Sequence, residues 1–272
     1  MSGTTLLYEL HDRAREQGVD GYRRMSRGEL EAALGLAEPA GPTRVEAERR
    51  GPLGLLTLTG GGEENAVSLD TLDQLALEAE RLAGEEQTRL IAVIGSGPRI
   101  FCAGADLPAL RELPGAVVTQ RGTAALERIA QVDVPTLALL NGHAVGGGID
   151  LALACDWRYA AQGAKLRFIH NELGYCPPWG GAQRLARIVP PGVALRLFAG
   201  CELISVDEAR ELGIVDVVVE RDRLLGRAES LASRLERAGR EAVSATKGLV
   251  SGGAGIHDHE GSFAALWDAR SQ

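Results

Sequence analysis

Two patterns of apolar residues divide the chain. In residues 1–35, apolar side chains recur at helical spacing, as in Leu6, Leu7, Leu10 and Ala14. Gly18 is placed to end that helix, and Ser26-Arg-Gly-Glu29 has the form of a capping box that opens another. Residues 36–43, rich in Gly, Pro and Ala, predict a linker. The pattern therefore indicates a small helical module that precedes the main part of the chain.

From residue 44 onward, short apolar runs alternate with amphipathic stretches. The apolar runs predict buried strands at 53–58, 90–94, 136–140 and 214–219. One helix face between them is marked by Leu72, Leu75, Ala79 and Leu82. Ser205-Val-Asp-Glu208 is a second capping box, and Gly213 is placed to close its helix. Strands that alternate with helices in this way predict one α/β domain over residues 44–272.

Composition agrees with a globular chain and narrows its partners. Of the 272 residues, 45% are hydrophobic and only 4% are aromatic, so we expect a core of Leu, Val, Ile and Ala. The formal net charge of −8 argues against binding to nucleic acid or an anionic membrane. We find no signal peptide and no apolar run long enough to span a membrane.

Cysteine and histidine spacing supports neither a disulfide framework nor a metal site. Four scattered cysteines form no CxxC pair, which predicts reduced thiols in a cytoplasmic protein: Cys102, Cys155, Cys176 and Cys201. The five histidines show no metal-binding spacing. The absence of a GxSxG elbow leaves acyl transfer through serine without support.

Two glycine-rich segments carry candidate chemistry. Residues 101–107 (FCAGADL) follow a strand, and their small side chains let a ligand approach the backbone, whose N–H groups suit an oxyanion. An ordinary tight turn explains the same residues equally well. Residues 141–156 (NGHAVGGGIDLALACD) indicate a turn into an apolar helix, whose N-terminus favours an anion. Spacing alone favours Asp150 as a helix cap over a carboxylate held in an apolar pocket.

A third segment places a glutamate among apolar and aromatic residues. Residues 168–185 (FIHNELGYCPPWGGAQRL) contain Glu172, with Tyr175 and Trp179 close in sequence. Prolines and glycines predict a rigid loop before a helix. A surface position for Glu172 is the ordinary alternative, since most glutamates are exposed.

Together these three segments resemble the signature regions of the crotonase, or enoyl-CoA hydratase/isomerase, superfamily. Asn65-Ala-Val-Ser and the stretch 205–219 fit the same pattern, so the resemblance covers residues 44–268. It implies a crotonase-type spiral of ββα units with a C-terminal helical region. It also implies a homotrimer or a hexamer that acts on acyl-CoA thioesters, with coenzyme A as part of the substrate and no separate cofactor.

The resemblance also assigns roles to residues. It places an oxyanion hole at the N–H groups of Ala105 and Gly147, where the thioester oxygen would become an enolate. Asp150 and Glu172 take the two acid/base positions, so the resemblance favours function over capping for Asp150. The positions implied to line the substrate and CoA site are Ala103, Asp106, Leu107, Gly146, Tyr175 and Trp179.

Departures from the family pattern leave several reactions open. Hydratases usually carry Glu where this chain has the shorter Asp150. The loop from Glu172 to Gly181 resembles the branch that decarboxylates alkylmalonyl-CoA thioesters, as does Leu266-Trp267. Two retained carboxylates nevertheless suit the addition or removal of water, so enoyl-CoA hydratase is our first interpretation and decarboxylase the second. Enoyl-CoA isomerase and a non-catalytic binding protein are further alternatives.

The N-terminal module resembles small SAP-like or Rho N-terminal helical domains, some of which bind nucleic acid. Residues 1–35 hold five Arg against six Asp or Glu, so they lack the basic surface that nucleic-acid binding needs. We therefore expect the module to mediate a protein contact or to pack on the main domain.

Overall fold

The computed structural model describes residues 7–20, 30, 33–35, 41–60, 62, 64–251 and 259–270. Its helices are α1 (Leu7–Glu16), α2 (Leu69–Gly84), α3 (Leu107–Leu110), α4 (Gly115–Gln131), α5 (Gly147–Ala154), α6 (Gly181–Ile188), α7 (Pro191–Ala199), α8 (Val206–Glu211), α9 (Arg221–Ala238), α10 (Arg240–Ser251) and α11 (His259–Arg270). Its strands are β1 (Arg44–Arg50), β2 (Leu53–Thr59), β3 (Leu90–Gly95), β4 (Ile100–Cys102), β5 (Thr136–Leu140), β6 (His143–Val145), β7 (Trp157–Ala161), β8 (Lys165–Arg167), β9 (Leu203–Ser205) and β10 (Val217–Val219). This is the mixed α/β architecture that the sequence predicts.

The strands form two sheets. The larger has the order β1-β2-β3-β5-β7-β10 and is parallel except for the β1–β2 pair. The smaller has the order β4-β6-β8-β9, with only β8–β9 antiparallel. Strands β2, β3 and β5 are buried along most of their length because both of their faces are covered. Edge strand β1 is charged and mostly exposed, which protects that edge from pairing with another chain.

The predicted helix face and capping box are confirmed. The four residues of the face in α2 are buried, and the Ser68 side chain caps that helix by accepting from the Thr71 N–H. Ser205 and Glu208 form a complete capping box at α8. Gly213 follows that helix with a φ of +78°.

The predicted strand 214–219 is too long at its start. The N–H groups of Ile214 and Val215 both donate to the Ala209 carbonyl at the end of α8, so they cannot join the sheet. The strand therefore begins at Val217, where it pairs with Tyr159 of β7. Sequence periodicity did not find the three-residue strands of the smaller sheet, which are too short to show an alternation.

In the N-terminal module, α1 confirms the first predicted helix. Gly18, with a φ of +69°, follows its end, and the Val19 N–H donates to the Ala14 carbonyl. Leu10, Ala14 and Leu30 form a separate buried cluster. The capping box at 26–29 lies outside the described residues, as do most of the residues of the predicted linker. Over the described part of the chain, no helix is long and apolar enough to cross a bilayer.

Arg240, at the start of α10, ties the C-terminal helices to the α/β domain. Its guanidinium donates to the carbonyls of Ala83, Glu85 and Thr88 and to the Asp133 carboxylate. The first three acceptors lie at the end of α2 and in the loop that leads to β3. Arg240 therefore links the start of α10 to the α/β domain, and Lys247 of the same helix adds a second link through the Val134 carbonyl and Asp156.

Candidate active site

Two backbone N–H groups, those of Ala105 and Gly147, lie side by side where the smaller sheet meets α5. Gly147 is the first residue of α5, and Ala105 precedes α3. A Cβ atom on Gly147 would lie 3.2 Å from the Ala105 nitrogen. Neither N–H donates to a backbone carbonyl within the described ranges. The pair is thus available to an anion or a polarised carbonyl, beside the positive end of a helix.

Close contact between the two loops depends on Gly104. Its φ is +105°, which L side chains rarely adopt, and a Cβ there would lie 2.8 Å from the Val145 carbonyl oxygen and 3.1 Å from the Gly147 nitrogen. Any larger residue would push the two N–H groups apart. The small size of Gly104 in segment 101–107 therefore keeps the two N–H groups close together.

Asp150 lies one turn into α5, and it does not cap that helix. The N-cap is Gly146, with no side-chain capping bond, so the capping interpretation that spacing favoured is wrong. The Asp150 side chain is 0% exposed, and neither carboxylate oxygen has a hydrogen-bond partner among the described residues. A buried carboxylate without partners is costly, which makes it a candidate for chemistry.

The imidazole of His170 faces Asp150. Its Nε2 lies 3.5 Å from Asp150 Oδ2, and its side chain is 7% exposed. On another side of Asp150, a Cβ on Gly181 would collide with the Oδ1 atom, so α6 begins directly against the carboxylate. Asp150 is therefore buried, as the interpretation of a carboxylate held in an apolar pocket requires, and its role in a site stays a prediction.

Glu172 lies on the outer surface of the loop that also carries His170. The N–H groups of Leu173 and Tyr175 donate to the His170 carbonyl, which closes a tight turn with residues 171–173 at the surface. The Glu172 side chain is 51% exposed and pairs with Arg167. The structure thus places Asp150 in the interior, where it faces His170, and Glu172 at the surface, where it pairs with Arg167.

Trp179 fills the space beside the N–H pair. Its indole is completely buried, and Cβ atoms on Gly122 and Gly147 would both collide with the ring. Its Nε1–H donates to the Val118 carbonyl in α4 at 3.1 Å. Arg184 of α6 donates to the Trp179 carbonyl at 2.7 Å. The indole is therefore a fixed wall of the site and not a mobile surface ring.

The other predicted site residues occupy the first loop and the rim. Asp106 caps α3 by accepting from the Ala109 N–H at 3.3 Å, and Leu107 is the first residue of that helix. The Ala103 N–H donates to the Glu64 carbonyl. Tyr175 is 58% exposed, so its ring does not share the buried space of Trp179.

Electrostatic surroundings keep the neighbouring thiol and imidazole neutral. Burial raises the pKa of the Cys102 thiol to about 12, so this cysteine next to the N–H pair remains protonated at neutral pH. Burial, followed by the charges of Lys165 and Arg221, lowers the pKa of His143. The His143 Nδ1 accepts a hydrogen bond from the Lys165 N–H, which is a structural role.

Sequence reasoning missed His170 and the glycines at 122 and 181. The sequence did contain a sign that His170 is buried, because it directly follows Phe168 and Ile169. For Gly122 the sequence offered no signal, because its role depends on a tryptophan that is distant in the chain. No cluster of three or more His, Cys, Asp or Glu side chains suited to a metal occurs among the residues that the structure describes.

Comparison with known proteins extends the resemblance. The family model described as enoyl-CoA hydratase/isomerase matches residues 48–258. A crotonyl-CoA hydratase from Syntrophomonas wolfei is 32% identical over 209 residues, covering 76% of this chain and 80% of that protein. An ethylmalonyl-CoA decarboxylase from Rattus norvegicus is 31% identical over 186 residues, covering 67% of this chain and 62% of that protein. The crystal structure of an enoyl-CoA hydratase from Bacillus anthracis superposes with a TM-score of 0.76 at 29% identity, covering 83% of this chain and 90% of that one.

Proposed function

The chain belongs to the enoyl-CoA hydratase/isomerase family, and from that premise we propose that it is an acyl-CoA lyase that stabilises a thioester enolate and acts as an enoyl-CoA hydratase. The observation that carries this proposal is the pair of free N–H groups at Ala105 and Gly147 beside the buried carboxylate of Asp150. Water would add across the 2-enoyl double bond, with its oxygen bonding to the β-carbon and a proton reaching the α-carbon.

The N–H pair performs the electrostatic part of this reaction. A 2-enoyl thioester gains negative charge on its carbonyl oxygen as water adds, and both N–H groups would donate to that oxygen. Donors that are already in place when charge develops contribute about 3–4 kcal/mol each to transition-state stabilisation. Their position at the start of α5 adds the positive end of the helix dipole.

Proton transfer is assigned to the two predicted carboxylates. Asp150 is buried next to the N–H pair and would transfer a proton at the substrate carbon or at water. For Glu172 we propose the second acid/base role, which requires its carboxylate to leave Arg167 when the substrate binds. The CoA moiety would lie along the first loop, at Ala103, Asp106 and Leu107, and near Gly146, with Tyr175 at the rim.

Mass spectrometry of acyl-CoAs tests this function. Crotonyl-CoA and medium-chain 2-enoyl-CoAs incubated with the wild type should gain the mass of one water. Asp150→Asn and Glu172→Gln should each lose turnover while keeping CoA affinity. Unchanged masses for every enoyl-CoA would rule out the hydratase, and normal turnover by Glu172→Gln would rule out the role proposed for that residue.

A specific observation favours decarboxylation of an alkylmalonyl-type acyl-CoA as the second candidate. Only one of the two predicted carboxylates is buried, and Trp179 walls the space next to the N–H pair. Loss of CO2 leaves the same enolate without a base to start the reaction, so one buried acid that protonates the enolate is sufficient. Methylmalonyl-CoA and ethylmalonyl-CoA belong in the same assay, where loss of the mass of CO2 would identify the decarboxylase.

Assembly as a homotrimer or a hexamer is also proposed. Exposed apolar side chains on the C-terminal helices support it, since Val250 is 82% exposed and Phe263 and Trp267 are each 63% exposed. The rings of Phe263 and Trp267 stack at 5.7 Å. Light scattering on the purified full chain tests the stoichiometry.

We also propose a cytoplasmic location, which the four free cysteines support. For the N-terminal module we propose a contact with another protein, and a pull-down with residues 1–43 tests it.

A further inference from the structure

Asp150 and His170 form a buried polar pair with unmet hydrogen bonds. Their facing atoms, Oδ2 and Nε2, are 3.5 Å apart, slightly beyond an ordinary hydrogen bond. All four polar atoms of the two side chains lack a hydrogen-bond partner among the described residues. Most buried polar atoms in native proteins are hydrogen-bonded, so four unpaired atoms on two side chains that face each other point to a place where a proton or a polar ligand is held.

Apolar side chains and glycines enclose this pair. The ring of Phe198 on α7 lies 5.6 Å from the His170 ring, centre to centre. Ile169 and His170 Nε2 both face Gly146, where a Cβ would lie 3.3 Å and 3.9 Å from them. The Asp150 side chain is 0% exposed and that of His170 7% exposed, so little bulk water reaches either group.

Three arginines on the surrounding elements pair with carboxylates other than Asp150. Arg184 of α6 pairs with Glu127, and Arg167 of β8 pairs with Glu172. On α7, Arg196 pairs with Glu202. The buried Cys102 thiol stays neutral because burial raises its pKa to about 12.

We propose that His170 is the proton partner of Asp150, so that a proton taken up by the Asp150 carboxylate is passed to and held by His170 until it is returned. When Asp150 takes a proton from the acyl α-carbon, the electron pair of the C–H bond stays on the enolate, and the proton passes to His170 Nε2. The carboxylate is thereby restored. In the reverse direction the pair returns that proton to the α-carbon, and in hydration the added water supplies it. No further reactant is consumed.

His170 is thus a positioning residue that acts through Asp150. The inference rests on the proposed enolate chemistry, and it also applies to loss of CO2, where the pair would take its proton from solvent and give it to the enolate carbon. Its tests therefore do not depend on which acyl-CoA the protein converts.

The first test reads the pair without any substrate. Long-range 1H–15N NMR spectra of the full chain report the protonation and tautomer of each imidazole, and His170→Gln identifies the His170 signals by their loss. We expect Asp150→Asn to move these signals and Glu172→Gln to leave them in place. Signals that do not respond to Asp150→Asn would overturn the proposal.

The second test measures exchange of the α-protons of butyryl-CoA in D2O, which needs only the enolate. Glutamine at position 170 keeps a polar atom near Nε2 but cannot exchange a proton, so we expect His170→Gln to slow exchange about 100-fold with unchanged CoA affinity. The pH profile of exchange should lose one ionisation. His170→Asn provides a second variant if glutamine prevents folding, and circular dichroism checks both.

His143→Asn is the matched control. Asparagine can accept the Lys165 N–H as His143 Nδ1 does, so this variant should exchange at the wild-type rate. Exchange by His170→Gln at the wild-type rate and with the wild-type pH profile would overturn the proposal. Failure of the wild type to exchange would overturn the enolate chemistry together with the pair. Exchange without hydration would instead reject only the hydratase.

Discussion

The candidate site has two sides, one formed by backbone groups and the other by side chains. On the oxyanion side, formed by residues 101–107 and 141–148, the functional groups are backbone N–H groups, and glycines set their positions. On the acid/base side, formed by Asp150 and residues 168–181, they are side chains whose direction depends on one tight turn. Once the glycines hold the backbone, the N–H donors do not depend on side-chain rotamers, whereas on the acid/base side the turn that contains His170 and Glu172 sets where each side chain lies. The oxyanion side is therefore the more robust of the two.

Asp150→Asn is the substitution expected to affect turnover most. The amide has nearly the same shape but cannot accept a proton, so turnover should fall about 1,000-fold with little change in KM. Steady-state kinetics measures this loss, with whichever acyl-CoA of the mass-spectrometric assay the wild type converts fastest. The exposed Asp207 in α8 provides the control, since Asp207→Asn should behave like the wild type.

Gly104→Ala should damage the oxyanion side alone. Its Cβ would separate the Ala105 and Gly147 N–H groups, and we expect a loss of about 100-fold in kcat, as for removal of one oxyanion donor. Gly163→Ala is the matched control, because Gly163 also has a positive φ, +80°, but nothing lies within 4 Å of its Cβ position. Equal losses in the two variants would attribute the effect to backbone strain and not to the N–H pair.

Trp179→Ala should affect stability and substrate size. Truncation of a buried tryptophan costs about 3–5 kcal/mol of unfolding free energy, and the space that it leaves lies beside Gly147. We therefore expect a lower urea midpoint and a shift of kcat/KM toward longer 2-enoyl-CoAs. An unchanged preference between short and long chains would show that Trp179 does not limit the acyl site.

Thiol labelling compares the two sides without any mutation. Cys176, in the exposed loop, should react readily with a thiol reagent at pH 8, whereas Cys102, with its pKa raised to about 12 by burial, should not. Unfolding should make both reactive. Mass spectrometry of labelled peptides reads the outcome, and rapid labelling of Cys102 in the folded protein would contradict the closed oxyanion side.

The elements that could be predicted from the sequence are those whose signals lie within a few consecutive residues. Consecutive apolar residues predicted β2, β3 and β5, and the Ser205 capping box predicted α8, since each depends on neighbours in the chain. Family resemblance brought in Ala105, Gly147 and Asp150, and the structure brings these three together. Their catalytic roles remain proposals.

What could not be predicted depends on distant contacts. Spacing favoured Asp150 as a cap because Asp is common at that position, and only the fold reveals that Gly146 is the cap. Whether His170 or Glu172 points inward depends on the hydrogen bonds of Leu173 and Tyr175 within one turn. The fit of Trp179 against Gly122 joins residues from separate elements, so no local pattern encodes it.

The construction of the oxyanion side from the main chain has an evolutionary consequence. Because those donors survive almost any substitution that keeps the glycines, mutations can accumulate on the acid/base side without loss of enolate stabilisation. A descendant could exchange one proton carrier for another, or shorten the loop, and still pass through active intermediates. The two backbone N–H donors can thus stay unchanged while related proteins acquire different reactions through changes in one short loop.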